Sequence, residues 1–217
     1  MGLLGEAWGY VRADPERFGE AVAVHLRLSL FSLALALLIF LPLGVLIARG
    51  GRGTGGIIGI VAAARVIPSL AILLLLLPVL GLGEKPALVA LTVLAGPPLV
   101  INTDAGLRSV SPAALEAARG IGMTEAQVFW RVQLPLASPV IVAGARTAGV
   151  EIVASAALAA LIGAGGLGEF ITSGLTTRDD ARLLVGAIPV TLLALAVELG
   201  LGGVERALTP PGAPATS

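Results

Sequence analysis

Four ionisable residues lie inside or beside apolar stretches of this sequence: Arg65, Arg146, Glu151 and Glu198. Because a charge in hydrocarbon is costly, such residues usually face a water-filled path or pair with an opposite charge. Arg146 and Glu151 are five residues apart, about 140° around a helix, so they do not share a face. We take Glu151 as the first candidate for lining a solute path, with Arg146 and Asn102 as further candidates; an ion pair or a subunit contact is the alternative. Arg65 and Glu198 are expected at an interface or in ion pairs.

Most catalytic and metal chemistry is excluded by residue type. The sequence has no cysteine and one histidine, His25, so we expect no thiolate chemistry and no metal site. His25 is expected at the membrane interface, at the start of a membrane helix. The segment GAGGLG (163–168) fits GxGxxG, but it follows an apolar stretch rather than a β-strand, which favours a tight turn. No GxxxxGK[ST] motif occurs, so ATP has to bind another chain.

The composition indicates a membrane protein. The chain has 217 residues, of which 56% are hydrophobic and 13% charged, whereas soluble domains carry roughly 25% charged residues. So little charge cannot cover the surface of a soluble domain of this size, so lipid must be the main solvent. The formal net charge is zero, which gives no indication of nucleic-acid binding.

The apolar stretches predict an all-α membrane protein with about five spans and no second domain. Proline in spans two and three predicts kinks or early ends there. Four spans remain possible if a proline breaks one of these two, and six if LGEFITSGL (167–175) enters the membrane. The expected spans are residues 26–48, 57–80, 86 to about 102–105, 137–162 and 183–201.

Two terminal segments flank these spans. Residues 1–25 are amphipathic, and their aromatic residues Trp8, Tyr10 and Phe18 suit a helix at the membrane surface. Residues 206–217 have the composition of a disordered tail. The transmembrane domain is therefore expected over residues 26–205.

A polar segment at residues 111–135 interrupts the apolar sequence. Ser111 before Pro112 predicts the start of a helix, and the glycines at 120 and 122 predict its end in a bend. Thr124 and Gln127 form a capping box for a second helix, which Pro135 is expected to end. Both helices are too short to span a bilayer, so the segment is predicted to lie on one side of the membrane.

The spacing inside this segment resembles a known motif. Glu116-Ala117-Ala118 is followed after three residues by Gly122, after nine by Val132, and after one more by Leu134-Pro135. This pattern is similar to the EAA loop of permease subunits of ABC importers, with Val132 in place of isoleucine. We call residues 111–135 the EAA loop. The segments IPSLA (67–71) and IGAGGLG (162–168) are similar to the osmoprotectant branch of these permeases, which transports glycine betaine, carnitine and choline.

The sequence also departs from that branch at three positions. Arg65 stands where the branch usually has glutamine, Ile101 where arginine is usual, and Glu151 where an uncharged residue is usual. These departures concern the substrate rather than the class of transporter.

The resemblance implies a function and a set of partners. The chain would be the permease subunit, with MetI-like architecture, of an ATP-driven, binding-protein-dependent importer in a prokaryotic inner membrane, and not an enzyme. Its partners would be ABC ATPase subunits that hold ATP and Mg, a second permease copy, identical or different, an extracytoplasmic binding protein, and lipid. The chain itself would hold no cofactor. The implied ATPase-coupling residues are Glu116, Ala117, Ala118, Arg119, Gly122, Leu134 and Pro135.

The sequence leaves alternatives open for the transported solute, the class of transporter and the orientation in the membrane. Methionine or an anion could replace the osmoprotectant, and a secondary transporter or channel would need no ATPase. If the EAA loop is cytoplasmic, three preceding spans place the N-terminus outside and two following spans place the C-terminus inside. Lys and Arg outside the spans divide equally between the two sides, so the positive-inside rule does not decide the orientation.

Overall fold

The computed structural model describes residues 2–50 and 54–209, and these form helices and connecting turns without strands. The predicted all-α fold class is therefore confirmed. The predicted turn after the first span includes residues 51–53, which lie outside the described residues. In chain order the helices are α1 (Leu3–Ala13), α2 (Pro15–Arg49), α3 (Gly55–Ala64), α4 (Ser69–Leu80), α5 (Glu84–Leu94), α6 (Gly96–Ser109), α7 (Pro112–Gly120), α8 (Glu125–Val128), α9 (Leu134–Ala156), α10 (Gly168–Thr177) and α11 (Asp180–Leu208). A π turn (Phe129–Gln133) joins α8 to α9, and a 3-10 turn (Leu158–Ile162) follows α9.

Four continuous segments in the described residues are long and apolar enough to cross a membrane: Pro15–Arg49, Glu84–Ser109, Glu125–Ala156 and Asp180–Leu208. The second predicted span, residues 57–80, is instead a pair, α3 and α4, bent by 88°. The bend precedes Pro68, which disfavours helical backbone at the residue before it and cannot donate a helical hydrogen bond.

Contacts between helix ends show that the bent pair joins opposite ends of the bundle. At the end that carries the EAA loop, Arg108 Nη2 donates to Thr54 Oγ1 at 2.8 Å just before α3. At the other, distal end, the Gly83 N–H donates to Ile162 O at 2.8 Å just after α4. The α3–α4 pair therefore leads from one end of the bundle to the other, which favours counting it as a fifth span.

The first membrane helix starts earlier than the sequence indicated. It begins at Pro15, and Asp14 caps it by accepting a hydrogen bond from the Arg17 N–H at 3.1 Å. The predicted boundary at residue 25 lies inside this helix, so only α1 is a separate amphipathic helix. The first turns of α2 carry charged residues, so the sequence did not indicate that they belong to the same helix as the apolar stretch that follows.

The other end of the chain also differs from expectation. Helix α11 continues to Leu208, beyond the predicted limit of residue 201 and into the segment predicted as a tail. Residues 210–217 of that predicted tail lie outside the described residues.

Small residues allow the central helices to approach closely. A Cβ added at Gly144 of α9 would lie 2.6 Å from the Asn102 Cβ of α6, and one at Gly44 of α2 would lie 2.7 Å from the Thr103 Cβ. Such contacts are typical of membrane helices, which associate by van der Waals packing instead of by the hydrophobic effect. They hold α6 between α2 and α9, and α6 leads directly into the EAA loop.

Candidate functional site

The first helix of the EAA loop ends in a Schellman motif. Gly122 has φ of +89°, a conformation that costs other L-residues roughly 1–2 kcal/mol. Its N–H donates to Arg119 O at 2.9 Å, and the Met123 N–H donates to Ala118 O at 3.2 Å. These two bonds satisfy carbonyls that the end of a helix leaves free. The predicted glycine bend is therefore present and lies at Gly122.

The second helix begins with the predicted capping box. Thr124 N donates to Gln127 Oε1 at 2.9 Å, and Gln127 N donates to Thr124 Oγ1 at 3.4 Å. At the start of the first helix, by contrast, Ser111 makes no side-chain capping hydrogen bond, although Pro112 occupies the first helical position as expected.

The prediction that Pro135 ends the second helix is wrong. The segment Glu125–Ala156 is a single 32-residue span, and Pro135 lies in the first turn of α9. A proline inside an α-helix clashes with the carbonyl four residues earlier. The π turn avoids this clash, since the Leu134 N–H bonds to Phe129 O, five residues back. The EAA loop is therefore continuous with a membrane span.

Buried apolar residues attach the EAA loop to the bundle. Phe129 packs with Leu107, Val110 and Ala137 in one buried cluster, and Gln133 Nε2 donates to Leu107 O at 3.1 Å. The loop thereby contacts the end of α6 and the start of α9 together.

The coupling candidates divide into an outward and an inward set. Glu116, Ala117, Arg119, Gly122 and Pro135 are exposed, Ala118 is buried and Leu134 is half-buried. The outward set is available to a partner, while Ala118 and Leu134 hold the loop to the protein.

An ion pair that the sequence did not reveal closes the bend. Arg119 Nε and Nη2 donate to the two Glu125 carboxylate oxygens at 2.7 and 3.2 Å. This hydrogen bonding raises the pKa of Arg119. Because the pair is exposed, it contributes little to stability, but it fixes the direction of Arg119.

A recess lined in part by arginines lies between the EAA loop and the ends of α2 and α6. It has a volume of about 420 Å³, and its lining includes Arg49, Arg108, Arg119 and Glu116. The Arg49 guanidinium also lies 4.2 Å from the centre of the Phe129 ring, a cation–π contact. Arg108 and Arg119 already pair with Asp104 and Glu125, so most of the positive charge in this recess is neutralised within the chain.

The four ionisable residues singled out in the sequence belong to two separate ion-pair groups. Arg146 Nη1 lies 2.8 Å from Glu198 Oε1, and its Nε lies 3.3 Å from Glu205 Oε2. Arg65 Nη2 lies 3.4 Å from Glu151 Oε1. Arg146 and Glu151 have different ion-pair partners, as expected for two residues on different faces of one helix.

Asn102 is placed at a helix contact. Its Nδ2 donates to Pro98 O at 2.8 Å, and its Cβ is the atom that a side chain at Gly144 would meet. It is not among the residues that line the cavity beside Glu151.

His25 is covered by protein: it is 1% exposed, and its Nε2 lies 3.1 Å from Val153 O. It is ten residues into α2, because that helix starts early, and its position at the membrane interface stays a prediction. GAGGLG (163–168) forms the predicted tight turn, with positive φ at Gly163, Gly165 and Gly166. Within the described part of the chain, no group of three His, Cys, Asp or Glu residues could hold a metal.

The family described as "Binding-protein-dependent transport system inner membrane component" matches residues 40–210. The chain belongs to this family. It is similar to the choline transport system permease protein OpuBB of Bacillus subtilis (strain 168), at 45% identity over 87% of each chain. It is also similar to the carnitine transport permease protein OpuCB of Listeria monocytogenes, at 44% identity over 86% of this chain and 85% of the relative.

Among solved structures, the fold is similar to a chain of the inward-facing MetNI methionine ABC transporter. The TM-score is 0.76 at 26% identity, covering 88% of this chain and 95% of the other. The predicted MetI-like architecture and the resemblance to osmoprotectant permeases are therefore confirmed.

Membership in the binding-protein-dependent permease family decides the protein's general role. The chain is a multi-pass inner-membrane transport component rather than an enzyme. Permeases of ABC importers work in general with an ATPase and a substrate-binding protein.

Proposed function

We propose that this chain is the permease subunit of an ATP-driven importer for osmoprotectants such as glycine betaine, carnitine or choline. The observation that carries the proposal is the rigid EAA loop, closed by the Schellman motif at Gly122 and continuous with the 125–156 span. The relatives named for choline and carnitine transport support the class of substrate.

The coupling step uses the outward residues of the EAA loop. Glu116, Ala117 and Arg119 are exposed and would enter a cleft on the ATPase, which binds ATP and Mg. When the ATPases close, force on α7 passes through the bend to α8 and α9, because Phe129 and Gln133 tie this region to the bundle. The spans then rock as a body around the solute path.

The orientation follows from the place of the ATPase. The EAA loop would be cytoplasmic, so the distal end, with α1 and α10, would face outside. Five passes then give an outside N-terminus and a cytoplasmic C-terminus. The extracytoplasmic binding protein would dock at the distal end, near Lys85 and residues 168–180.

A second permease copy, identical or different, would complete the path. Two ATPases need two EAA loops, and five passes are too few to enclose a gated path. The α3–α4 pair is the most exposed part of the bundle, with Val66 at 82% and Val79 at 81% exposure, so it would contact lipid or the second copy.

Uptake by the complete importer tests this function. The permease, its ATPase and its binding protein would be expressed in a bacterium without osmoprotectant uptake, and radiolabelled solutes would be measured at high osmolarity. We expect uptake of glycine betaine, carnitine or choline, and its loss when the P-loop lysine of the ATPase is replaced. Uptake of only methionine or an anion would contradict the substrate class. Uptake that persists with the inactive ATPase would instead indicate a secondary transporter or channel.

A further inference from the structure

Helix α2 is one continuous segment of 35 residues that ends beside the EAA loop. In its last turns, Val45 and Ala48 pack against the buried cluster that contains Phe129. Pro42 lies inside α2 and cannot donate a helical hydrogen bond, so the helix has one backbone bond fewer just before these turns. Contacts with neighbouring elements therefore matter for how the end of α2 moves.

Arg49, the last residue of α2, makes a directed contact with the EAA loop. Its guanidinium carbon lies 4.2 Å from the centre of the Phe129 ring, inside the distance of about 6 Å at which a cation is attracted to a ring face. Within residues 2–50 and 54–209, Arg49 has no ion pair, whereas Arg108 and Arg119 beside it each pair with a carboxylate. The ring is therefore the closest described partner of this guanidinium.

Phe129 lies where the EAA loop joins the membrane spans. It is the first residue of the π turn between α8 and α9, and it is 7% exposed. The hydrogen bond from Gln133 to Leu107 O ties the same turn to α6. Contacts among apolar side chains are non-directional, whereas a guanidinium over a ring face has a preferred position. Arg49 thus adds α2 to the helices that are fixed to this turn.

We propose that Arg49 is a positioning residue for transport: its contact with Phe129 makes the end of α2 follow the EAA loop when the ATPases move that loop. The inference rests on the proposed function and deepens it by adding α2 to the elements that the ATPase drives. Near the distal end of the bundle, Arg27 of α2 pairs with Glu84 in the first turn of α5. Movement of α2 therefore reaches the side on which the binding protein would dock.

The amount of solute taken up per ATP hydrolysed by the complete importer tests this role. Arg49→Met keeps a long apolar side chain but removes the charge, and we expect it to lower this ratio about two- to fivefold, the size expected for one exposed cation–π contact. Arg49→Lys should retain most of the ratio, because an ammonium group can also lie over a ring. Membrane content and thermal unfolding of both variants would be measured, since a merely structural role would change these and leave the ratio as it is.

Two double-mutant cycles identify the partner of Arg49. Phe129→Leu removes the ring but keeps an apolar residue in the cluster, and in that background Arg49→Met should lower the ratio no further. The charge of Arg49 also acts on Glu125. In a Glu125→Gln background, Arg49→Met should therefore still lower the ratio by its full factor if the ring is the partner. The second cycle also decides the question if Phe129→Leu does not fold.

The outcomes separate this inference from the function on which it rests. If the unmodified importer takes up no solute, or takes it up without ATP, the proposed function fails and the inference with it. If it imports only another solute, the substrate class fails, but the ratio still tests Arg49. Once ATP-driven uptake is measured, three results would overturn the inference alone: an unchanged ratio in Arg49→Met, an equal loss in Arg49→Lys, or a full further loss in the Phe129→Leu background.

Discussion

The spacing of the EAA motif has a structural explanation at Gly122. The carbonyl of Ala118 accepts the 3.2 Å hydrogen bond from Met123, and Gly122 lies between them at φ of +89°. The interval between alanine and glycine is therefore the interval between two fixed positions of a Schellman motif. No heavy atom lies within 4 Å of a Cβ built at Gly122, so the requirement for glycine there comes from the backbone alone.

Gly120 provides a matched control for Gly122. A Cβ at either position meets open space, but only Gly122 has positive φ. Gly122→Val should leave the protein in the membrane yet abolish uptake and substrate-stimulated ATP hydrolysis, because the strain of roughly 1–2 kcal/mol or more opens the bend. Gly120→Val should retain both, since valine suits a helix at least as well as glycine. Full uptake by Gly122→Val would show that coupling does not need the bend.

Arg146 supports a second prediction at the residue scale. Replacing it by glutamine leaves Glu198 and Glu205 without their common positive partner, in a region where their side chains are 45% and 26% exposed. We expect Arg146→Gln to lower the free energy of unfolding by more than the roughly 0–1 kcal/mol of one exposed ion pair, because two carboxylates lose their partner at once. Glu205→Gln should cost under about 1 kcal/mol, because Arg146 keeps its closer partner. Thermal unfolding in detergent would measure both, and equal effects would show that the pair with Glu198 is not dominant.

At the scale of elements, the sequence predicted those features of the EAA loop that depend on residues close together in the chain. The capping box at Thr124 and the bend at Gly122 involve residues at most five apart, so their residue types were sufficient. The course of the chain through Pro135 was not predictable in this way, because proline permits either a helix end or a π turn. Packing of Phe129 and Gln133 against α6 selects the π turn. The ion pairs also required the fold, since Arg65 and Glu151 are 86 residues apart.

The π turn itself can be tested. Pro135→Ala removes the clash that favours the π turn, so an ordinary α-helical register becomes available and α8 would rotate relative to α9 by roughly one residue, about 100°. We expect normal membrane content but reduced coupling of ATP hydrolysis to uptake. Pro139→Ala, inside α9, is the control and should leave coupling intact. Equal coupling in the two variants would show that the register of the π turn is unimportant.

At the scale of the whole molecule, five passes predict a cytoplasmic C-terminus. The decisive element is the α3–α4 pair, which connects Thr54 at one end of the bundle to Gly83 at the other. A reporter fused after Ser217 should therefore be active if it works in the cytoplasm and inactive if it requires the outside. The opposite pattern would mean that the bent pair returns to the side from which it entered.

Contact between the EAA loop and the ATPase can be tested directly, because the chain has no cysteine. A single cysteine at exposed Ala117 would carry a maleimide–benzophenone cross-linker, and buried Ala118, which is 6% exposed, provides the adjacent control. In the assembled importer, illumination of Ala117→Cys should yield a covalent adduct with the ATPase subunit, whereas Ala118→Cys should be poorly labelled and yield little. An Ala117→Cys variant that is fully labelled but gives no ATPase adduct would show that the EAA loop does not contact the ATPase.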